Sequence, residues 1–283
     1  MASGVDILLR PVLIHTFRLG ILGSALSSLL GDSFTAIVFM KLMKNKGFFA
    51  KDQFKLPSWS EVTPMLKGST LQARSFAMHL TNLIVARKIQ SFDNSGVYPA
   101  AFSLAMQTFF TGGILVYAMA MSTQTLYPNA VGRCDEKDKE SYSKILVRRL
   151  LGRGLWVGTI ITLVQGLLFP LILRTTPITE VREAAFFPVM IAIAFQGINA
   201  VVCVGEAIMV GSGMFSSASL VLIAASIGYT SSLRFLPQSW GINGVSASFG
   251  VFNILRLLGL AFYLPSVLNQ QRGPRTPVEE SQE

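Results

Sequence analysis

Ionisable residues inside long apolar segments are the first candidates for chemistry in this sequence. Glu206 stands in an otherwise uncharged run that begins at Ala184. A buried carboxyl group is costly in a membrane, and desolvation favours its protonated form, which suits a proton carrier. A place near the end of the span, in water or beside a basic residue, is the alternative. Histidine changes charge near neutral pH, so His79 is a candidate for a proton relay or for an interhelical hydrogen bond. Glu206 and His79 are therefore the candidate cation-coupling residues.

Two arginines also interrupt apolar segments. Arg74 lies in the segment from Val62 to Ile89, and an arginine inside a span is expected to face the protein interior or water. It would face an anionic ligand, neutralise an acid such as Glu206, or orient a loop. Arg256, with Asn253 one turn earlier, is expected to form an internal ion pair or to snorkel.

Aromatic and amide side chains are candidate contacts for a ligand cavity. Phe102 and Phe109 share a helical face with Phe110, and aromatic faces bind organic cations, although contact with lipid is the alternative. Gln107 and Gln196 are single amides on apolar helices. They are expected to contact a ligand or to hold helices together by hydrogen bonds.

Composition defines the elements that position these residues. The chain has 283 residues, of which 51% are hydrophobic and 14% charged, against roughly 25% charged residues in soluble domains. Its mean hydropathy is +0.51, which argues against a soluble enzyme. Apolar blocks of about 20 residues match the length of a membrane span, and they predict an all-α polytopic membrane protein. The predicted spans are Leu19 to Met43, Val62 to Ile89, Tyr98 to Leu126, Val147 to Leu173, Ala184 to Val210, Ser217 to Leu236 and Gly241 to Leu264.

The net charge of +9 is by itself compatible with a nucleic-acid partner, but the positions of the charges along the chain favour another explanation. Lysine and arginine concentrate in alternate loops, 41–58 and 127–146, and in the tail, which indicates a cytoplasmic side for those segments. The basic charge therefore reflects membrane topology, and we expect no nucleic-acid partner. The sequence contains neither the nucleotide-binding pattern GxxxxGK[ST] nor the catalytic patterns GxSxG and HExxH. We therefore expect neither an enzyme nor a bound nucleotide.

A short repeat indicates a two-lobed architecture. The segment that begins Gly20-Ile-Leu-Gly23 resembles the one that begins Gly241-Ile-Asn-Gly244, and each opens an apolar helix. Chance similarity of small-residue helix starts is the alternative. A true repeat predicts that one bundle ends with the first copy and a second bundle ends with the second copy. Most of the first bundle would then precede Met1.

Two stretches resemble the multidrug and toxic compound extrusion (MATE) transporters, in particular the DinF-like branch. The segment 199–213 is similar to the family's tenth helix, with an acidic residue, Glu206, five residues before Gly211-Ser-Gly213. The segment 118–133 resembles the eighth helix and its turn, and Arg74 matches an arginine of the seventh. The family's acidic residue in that seventh helix falls near Met78 and His79, which puts a two-carboxylate cation site in doubt.

The resemblance implies a MATE-type helical bundle: a complete C-terminal six-helix lobe plus the last one and a half helices of the N-terminal lobe. It divides the chain into the end of the N-terminal lobe (1–43), a cytoplasmic inter-lobe loop (44–61), the C-terminal lobe (62–264) and a disordered cytoplasmic tail (265–283). Val5 to Phe17 would be the end of helix five.

The implied function is a secondary antiporter that exports amphipathic organic compounds in exchange for H⁺ or Na⁺, with no other cofactor. Its partners would be the lipid bilayer and a small organic substrate, in the plasma membrane or a plastid envelope. Arg74, Phe102, Phe109, Gln107 and Gln196 would line the substrate cavity. Two alternatives remain: a truncated, non-transporting membrane remnant or partial gene product, and a lipid-linked flippase.

Overall fold

The computed structural model describes residues 2–47, 59–93, 95–135 and 138–270, and no strand occurs among them. A π-helical turn, Val12–Thr16, follows the first helix. The α-helices are α1 Ala2–Pro11, α2 Gly20–Asn45, α3 Trp59–Gln90, α4 Val97–Gly132, α5 Lys139–Leu167, α6 Phe169–Arg174, α7 Thr179–Ala194, α8 Gln196–Gly211 and α9 Phe215–Gln270. The all-α prediction is confirmed.

Each predicted span coincides with helix. Two of them are broken: the predicted span 147–173 starts earlier and divides into α5 and α6, and the predicted span 184–210 divides into α7 and α8, which meet at a 43° bend. Phe195 separates α7 from α8, and its ring lies where a side chain on Gly250 would otherwise stand.

Four described helices are long and apolar enough to cross a membrane, or five if α7 and α8 form one span. Helix α9 counts once in that total, but its 56 residues extend about 80 Å, more than twice a hydrocarbon core of about 30 Å. Gly241, with φ 52° and ψ −130°, breaks it in two, a conformation open to glycine because it lacks a Cβ. The chain is therefore an integral, multi-pass membrane protein.

The chain divides into two compact units, 1–62 and 63–283. In the first, α1 and α2 form a hairpin. Ser27 donates a hydrogen bond of 2.6 Å to the carboxylate of Asp6, which also pairs with Arg10. Gly23 allows the close approach, since a Cβ there would lie 2.9 Å from the carbonyl of Leu13.

In the second unit α8 packs against α4, α5 and α9, and α7 packs against α4. Small residues permit these approaches: a Cβ on Gly158 of α5 would lie 2.6 Å from the Cβ of Ala200 on α8. Helix α8 is consequently the most enclosed helix, with eleven buried residues among its 16. A polar side chain on α8 is thus held inside the bundle.

The two copies of the repeat adopt the same backbone corner. Gly20 has φ +53° and Gly241 has φ +52°. Three residues later, a Cβ on Gly23 would meet the backbone of Leu13, and one on Gly244 would meet the backbone of Leu236. The match in sequence therefore extends to local geometry.

Two predicted boundaries were wrong. The disordered tail does not begin at residue 265, because α9 continues to Gln270, and the remaining tail, 271–283, lies outside the described residues. The segment 44–61, predicted as a loop, is helical at both ends, since α2 ends at Asn45 and α3 begins at Trp59. Residues 48–58 of that loop are also outside the described ranges.

Candidate functional site

Helix α8 supplies one polar face in the second unit. Asn199, Cys203 and Glu206 follow at spacings of four and three residues, so they lie on the same side of the helix. The second half of α9 brings Arg256 to this face, and α3 brings Arg74. Three helices therefore converge on one carboxylate.

We call Glu206, Arg74 and Arg256 the ion cluster. The Nε of Arg256 donates to Oε1 of Glu206 at 3.0 Å, and Arg74 donates to Oε2. The side chains of Glu206 and Arg256 are 4% and 8% exposed, while that of Arg74 is 24% exposed. Two guanidinium groups and one carboxylate give the cluster a formal charge of about +1.

Arg256 has further partners on α8. Its Nη1 donates to Oδ1 of Asn199 at 3.3 Å, and its Nη2 lies 3.8 Å from the sulfur of Cys203. The guanidinium also lies 5.4 Å from the ring centre of Phe252. These contacts fix the orientation of the guanidinium plane, although a sulfur acceptor satisfies an N–H donor only weakly.

A cavity of about 600 Å³, which we call the chamber, opens beside the ion cluster. Its volume is that of an ordinary small-molecule site. Asn199, Cys203 and Arg256 form one polar end, and the other lining residues are mostly aromatic or aliphatic. They are Met78, Asn82, Val85, Ala86, Phe102, Met106, Phe109, Phe110, Gly113, Ile114, Tyr117, Tyr229, Phe249 and Phe252.

Aromatic rings run from the polar end into the chamber wall. The ring centres of Phe252 and Phe249 are 6.2 Å apart, and Phe249 meets Phe109 edge-on at 4.8 Å. Tyr229 lies 5.7 Å from Phe252. The chamber thus combines one cationic end with a broad apolar surface.

A second, smaller cavity of about 90 Å³ lies next to Glu206. It is lined in part by Arg74, Gln124 and Glu206, and it shares Tyr117 and Cys203 with the chamber. Arg256 lines the chamber, whereas Glu206 and Arg74 line the smaller cavity. The ion cluster therefore separates the two cavities.

The structure brings four of the predicted site residues together. Glu206 and Arg74 are paired, which is one of the arrangements expected for Arg74, and Phe102 and Phe109 line the chamber. Arg256 forms the internal ion pair that its sequence position suggested. Their roles in binding stay predictions.

The three remaining predicted residues lie elsewhere. His79 is exposed and lines neither cavity, because its neighbour Met78 takes the inward position on α3. Gln107 is exposed and donates to Ser103 on its own helix at 3.3 Å. Gln196 is buried and donates to the carbonyl of Phe109 at 2.6 Å, so it holds α8 against α4.

Sequence reasoning missed part of the chamber wall. Phe249 and Phe252, which it did not name, lie seven and four residues before Arg256 on α9, and together with Arg256 they complement the polar face of α8. This periodicity, read together with that of Asn199, Cys203 and Glu206, was the available signal. Tyr229 and Asn82 gave no such signal, because each stands alone on its segment.

Comparison with known proteins places this geometry in a known fold. No family model matches the sequence. Protein DETOXIFICATION 45, chloroplastic, of Arabidopsis thaliana is 22% identical over 254 residues, which cover 89% of this chain and 44% of that protein. The chain therefore spans less than half the length of this curated relative.

Solved structures agree on the architecture. A multidrug resistance MATE family transporter in its outward-facing conformation superimposes with a TM-score of 0.79 at 14% identity, covering 96% of this chain and 62% of the other. The Vibrio cholerae MATE transporter VcmN in its bent form gives 0.70 at 20% identity, covering 95% and 61%. The resemblance to MATE transporters is thus confirmed: the chain has their fold over most of its length.

Proposed function

We propose that this chain, which has the fold of MATE transporters, is part or all of a secondary active antiporter that exports amphipathic organic compounds in exchange for H⁺ or Na⁺. The single observation that supports this most directly is the chamber. A volume of about 600 Å³ accommodates a drug-sized molecule. Its aromatic wall and single charged end suit a molecule with an apolar body and a polar group.

The ion cluster supports the coupling part of the proposal. Both carboxylate oxygens of Glu206 accept hydrogen bonds from arginines, so a cation that binds this carboxylate competes with the arginines for it. Arg74 is the more exposed partner and is the group that would leave. Binding of H⁺ or Na⁺ would then free a guanidinium beside the shared wall of the two cavities, and so couple the ion to the contents of the chamber.

Alternating access is the expected mode of transport, with the chamber presented in turn to each side of the membrane. A coupling ion is the only cofactor that this proposal requires. The chain covers 62% of the first solved transporter. Transport by this polypeptide is therefore a proposal, and the experiment that tests it uses the chain itself.

The test is ion-driven transport by the purified chain in proteoliposomes. An imposed H⁺ or Na⁺ gradient should drive movement of an aromatic dye, with ethidium and carboxyfluorescein as a cationic and an anionic probe. Glu206→Gln should reduce the gradient-driven rate to background. Glu183→Gln is the matched control, because Glu183 is exposed and lines neither cavity.

Folding must be separated from function in this test. Glu206→Gln leaves Arg256 buried without its carboxylate, so the double variant with Arg256→Met is measured beside it. Membrane yield and a single gel-filtration peak report insertion and folding. Transport by folded Glu206→Gln at the wild-type rate would contradict the role of Glu206. Absence of gradient-driven transport by the wild-type chain would contradict transport by this chain on its own.

A further inference from the structure

The charge on the polar end of the chamber defines what the chamber can hold. Of the residues that line it, Arg256 alone is charged within the described part of the chain. The ion cluster to which Arg256 belongs carries two positive groups and one negative group. The cluster as a whole therefore carries one positive charge more than its carboxylate balances, and Arg256 is the member of the cluster that lines the chamber.

We propose that the chamber binds an amphipathic organic anion: a carboxylate or similar acidic group beside Arg256, attached to an aromatic or aliphatic body. This inference rests on the proposed function, because it names the class of substrate for the same cavity. A bound monoanion would bring the cluster to two positive and two negative groups, and buried charges are stable when they are paired in this way.

Donor geometry supports an anion at this position. A guanidinium has five N–H donors and no acceptor. Arg256 uses one on Glu206, one on Asn199, and one on the weak acceptor Cys203. Its side chain is 8% exposed, so its other donors are left to what occupies the chamber, and a ligand with suitable acceptors would replace water there. A carboxylate offers two such acceptors in matching geometry.

The apolar part of the ligand would lie along the aromatic wall. Phe252 lies beside the guanidinium at 5.4 Å, and Phe249 and Phe109 continue the wall away from it. An aromatic ring attached to the acidic group would stack or pack edge-on against these rings. An organic cation would also bind to the faces of these rings. Its charge would be repelled by Arg256, however, and the described chamber lining has no carboxylate to balance it.

The first test compares three naphthyl ligands of similar size and different charge for binding to the purified 283-residue chain in detergent by isothermal titration calorimetry. The probes are 2-naphthoate, 2-naphthamide and 2-naphthylmethylammonium. We expect 2-naphthoate to bind at least tenfold more tightly than the amide, and the ammonium to bind least. Equal or tighter binding of the ammonium would overturn the assignment of an anion while leaving a ligand chamber in place.

Variants at Arg74 locate the effect. Arg74→Gln removes one positive charge from the ion cluster, and we expect it to weaken 2-naphthoate binding about tenfold, since a unit charge in the adjoining cluster still acts through a protein interior. It should leave 2-naphthamide binding within about twofold. Arg74→Lys should retain anion binding. Lys88→Gln is the control, because it removes one charge from the same helix outside both cavities.

Cys203 offers a readout that does not depend on affinity. In a Cys134→Ser background, its modification rate is measured with an anionic sulfonatoethyl and a cationic trimethylammonioethyl methanethiosulfonate, each relative to free cysteine. We expect the anionic reagent to be favoured about tenfold at Cys203, and 2-naphthoate to protect the thiol. Preference for the cationic reagent would overturn the proposal.

The outcomes separate this inference from the proposed function. Binding of the anion without gradient-driven transport would support the inference and contradict transport by this chain. Transport of ethidium with no binding of 2-naphthoate would support transport and overturn the inference. Failure of all three naphthyl probes to bind would overturn the inference and remove the chamber as support for the proposed function.

Discussion

Substitution of the three members of the ion cluster is expected to lower the free energy of unfolding by different amounts. Removal of Glu206 leaves two arginines, and Arg256 is 8% exposed, so Glu206→Gln buries an uncompensated charge. Loss of one partner of a buried pair costs about 3–5 kcal/mol of unfolding free energy. Removal of either arginine instead leaves one arginine paired with one carboxylate. Glu206→Gln is therefore expected to be the most destabilising of the three substitutions.

The two arginine substitutions should cost less. Arg74 is 24% exposed, and loss of its hydrogen bond to a charged group is expected to cost about 1.5 kcal/mol, at the lower end of the range for such bonds. Arg256→Met also removes the contacts with Asn199 and Phe252, and we expect about 2–3 kcal/mol. The double variant Glu206→Gln with Arg256→Met should cost at least about 2 kcal/mol less than the sum of the single variants, because it leaves no unpaired buried charge from that pair.

The measurement is equilibrium unfolding in mixed micelles by titration with sodium dodecyl sulfate, followed by circular dichroism. Lys144→Gln is the control, because Lys144 pairs with Glu140 on the surface of α5 and a surface pair is worth about 0.5 kcal/mol. If Glu206→Gln proves no more destabilising than Arg74→Gln, or if the double variant is additive, the cluster does not hold its charges in the manner that we describe.

Two further predictions concern packing and a loop. Gly158→Ala should lower the free energy of unfolding by about 1–3 kcal/mol in the same titration, because its Cβ would meet Ala200 at 2.6 Å. Gly152→Ala on the same helix is the control, because its Cβ would enter open space, and it should be neutral or stabilising. Equal effects of the two substitutions would contradict the tight α5–α8 contact. Hydrogen bonds from the hydroxyl of Ser95 and the amides of Tyr98 and Ser95 lower the pKa of Asp93. The ionised carboxylate of Asp93 therefore stabilises the start of α4 above the unfolded pKa of about 3.9, and this stabilisation is lost as pH falls through the lower folded pKa. The protection factor of the Tyr98 amide, which is the ratio of the intrinsic to the measured exchange rate at the same pH, should fall over that acidic window in the wild type and should be low throughout in Asp93→Ala. A wild-type protection factor that does not change with pH would contradict the hydrogen bond from Tyr98 to Asp93.

Much of the helical architecture could be predicted from the sequence, because lipid demands long apolar runs and those runs are visible without a structure. The breaks within runs were harder. The residue between α7 and α8 is Phe195, neither a proline nor a glycine, and its ring packs against Gly250 of another helix, a contact that the local sequence does not show. The break at Gly241 was predictable, because a glycine follows the end of the preceding apolar run.

The site was predictable where a charge stood alone in an apolar helix. Glu206 and Arg74 were identified for that reason, and their pairing was one of the expected outcomes. For the remaining predicted residues, the position around the helix axis determines whether the side chain reaches a cavity. His79 lies one residue beyond the inward-facing Met78, and a rotation of about 100° per residue places its side chain on another face. Composition cannot supply that angle.

Arg74 is one of several polar side chains on α3, and it joins this helix to α8. Helix α3 is long, yet it is absent from the described helices that qualify as spans by apolarity, so partition into lipid alone holds it less firmly than its neighbours. Near its far end, Val85 and Ile89 are buried in the apolar core. Near Arg74, the ion pair with Glu206 links it to α8. Arg74, one of the charged residues that make α3 less apolar, is thus the residue that pairs this helix with the most enclosed helix. Any ligand or ion that competes for Glu206 therefore acts directly on how one wall of the chamber is held.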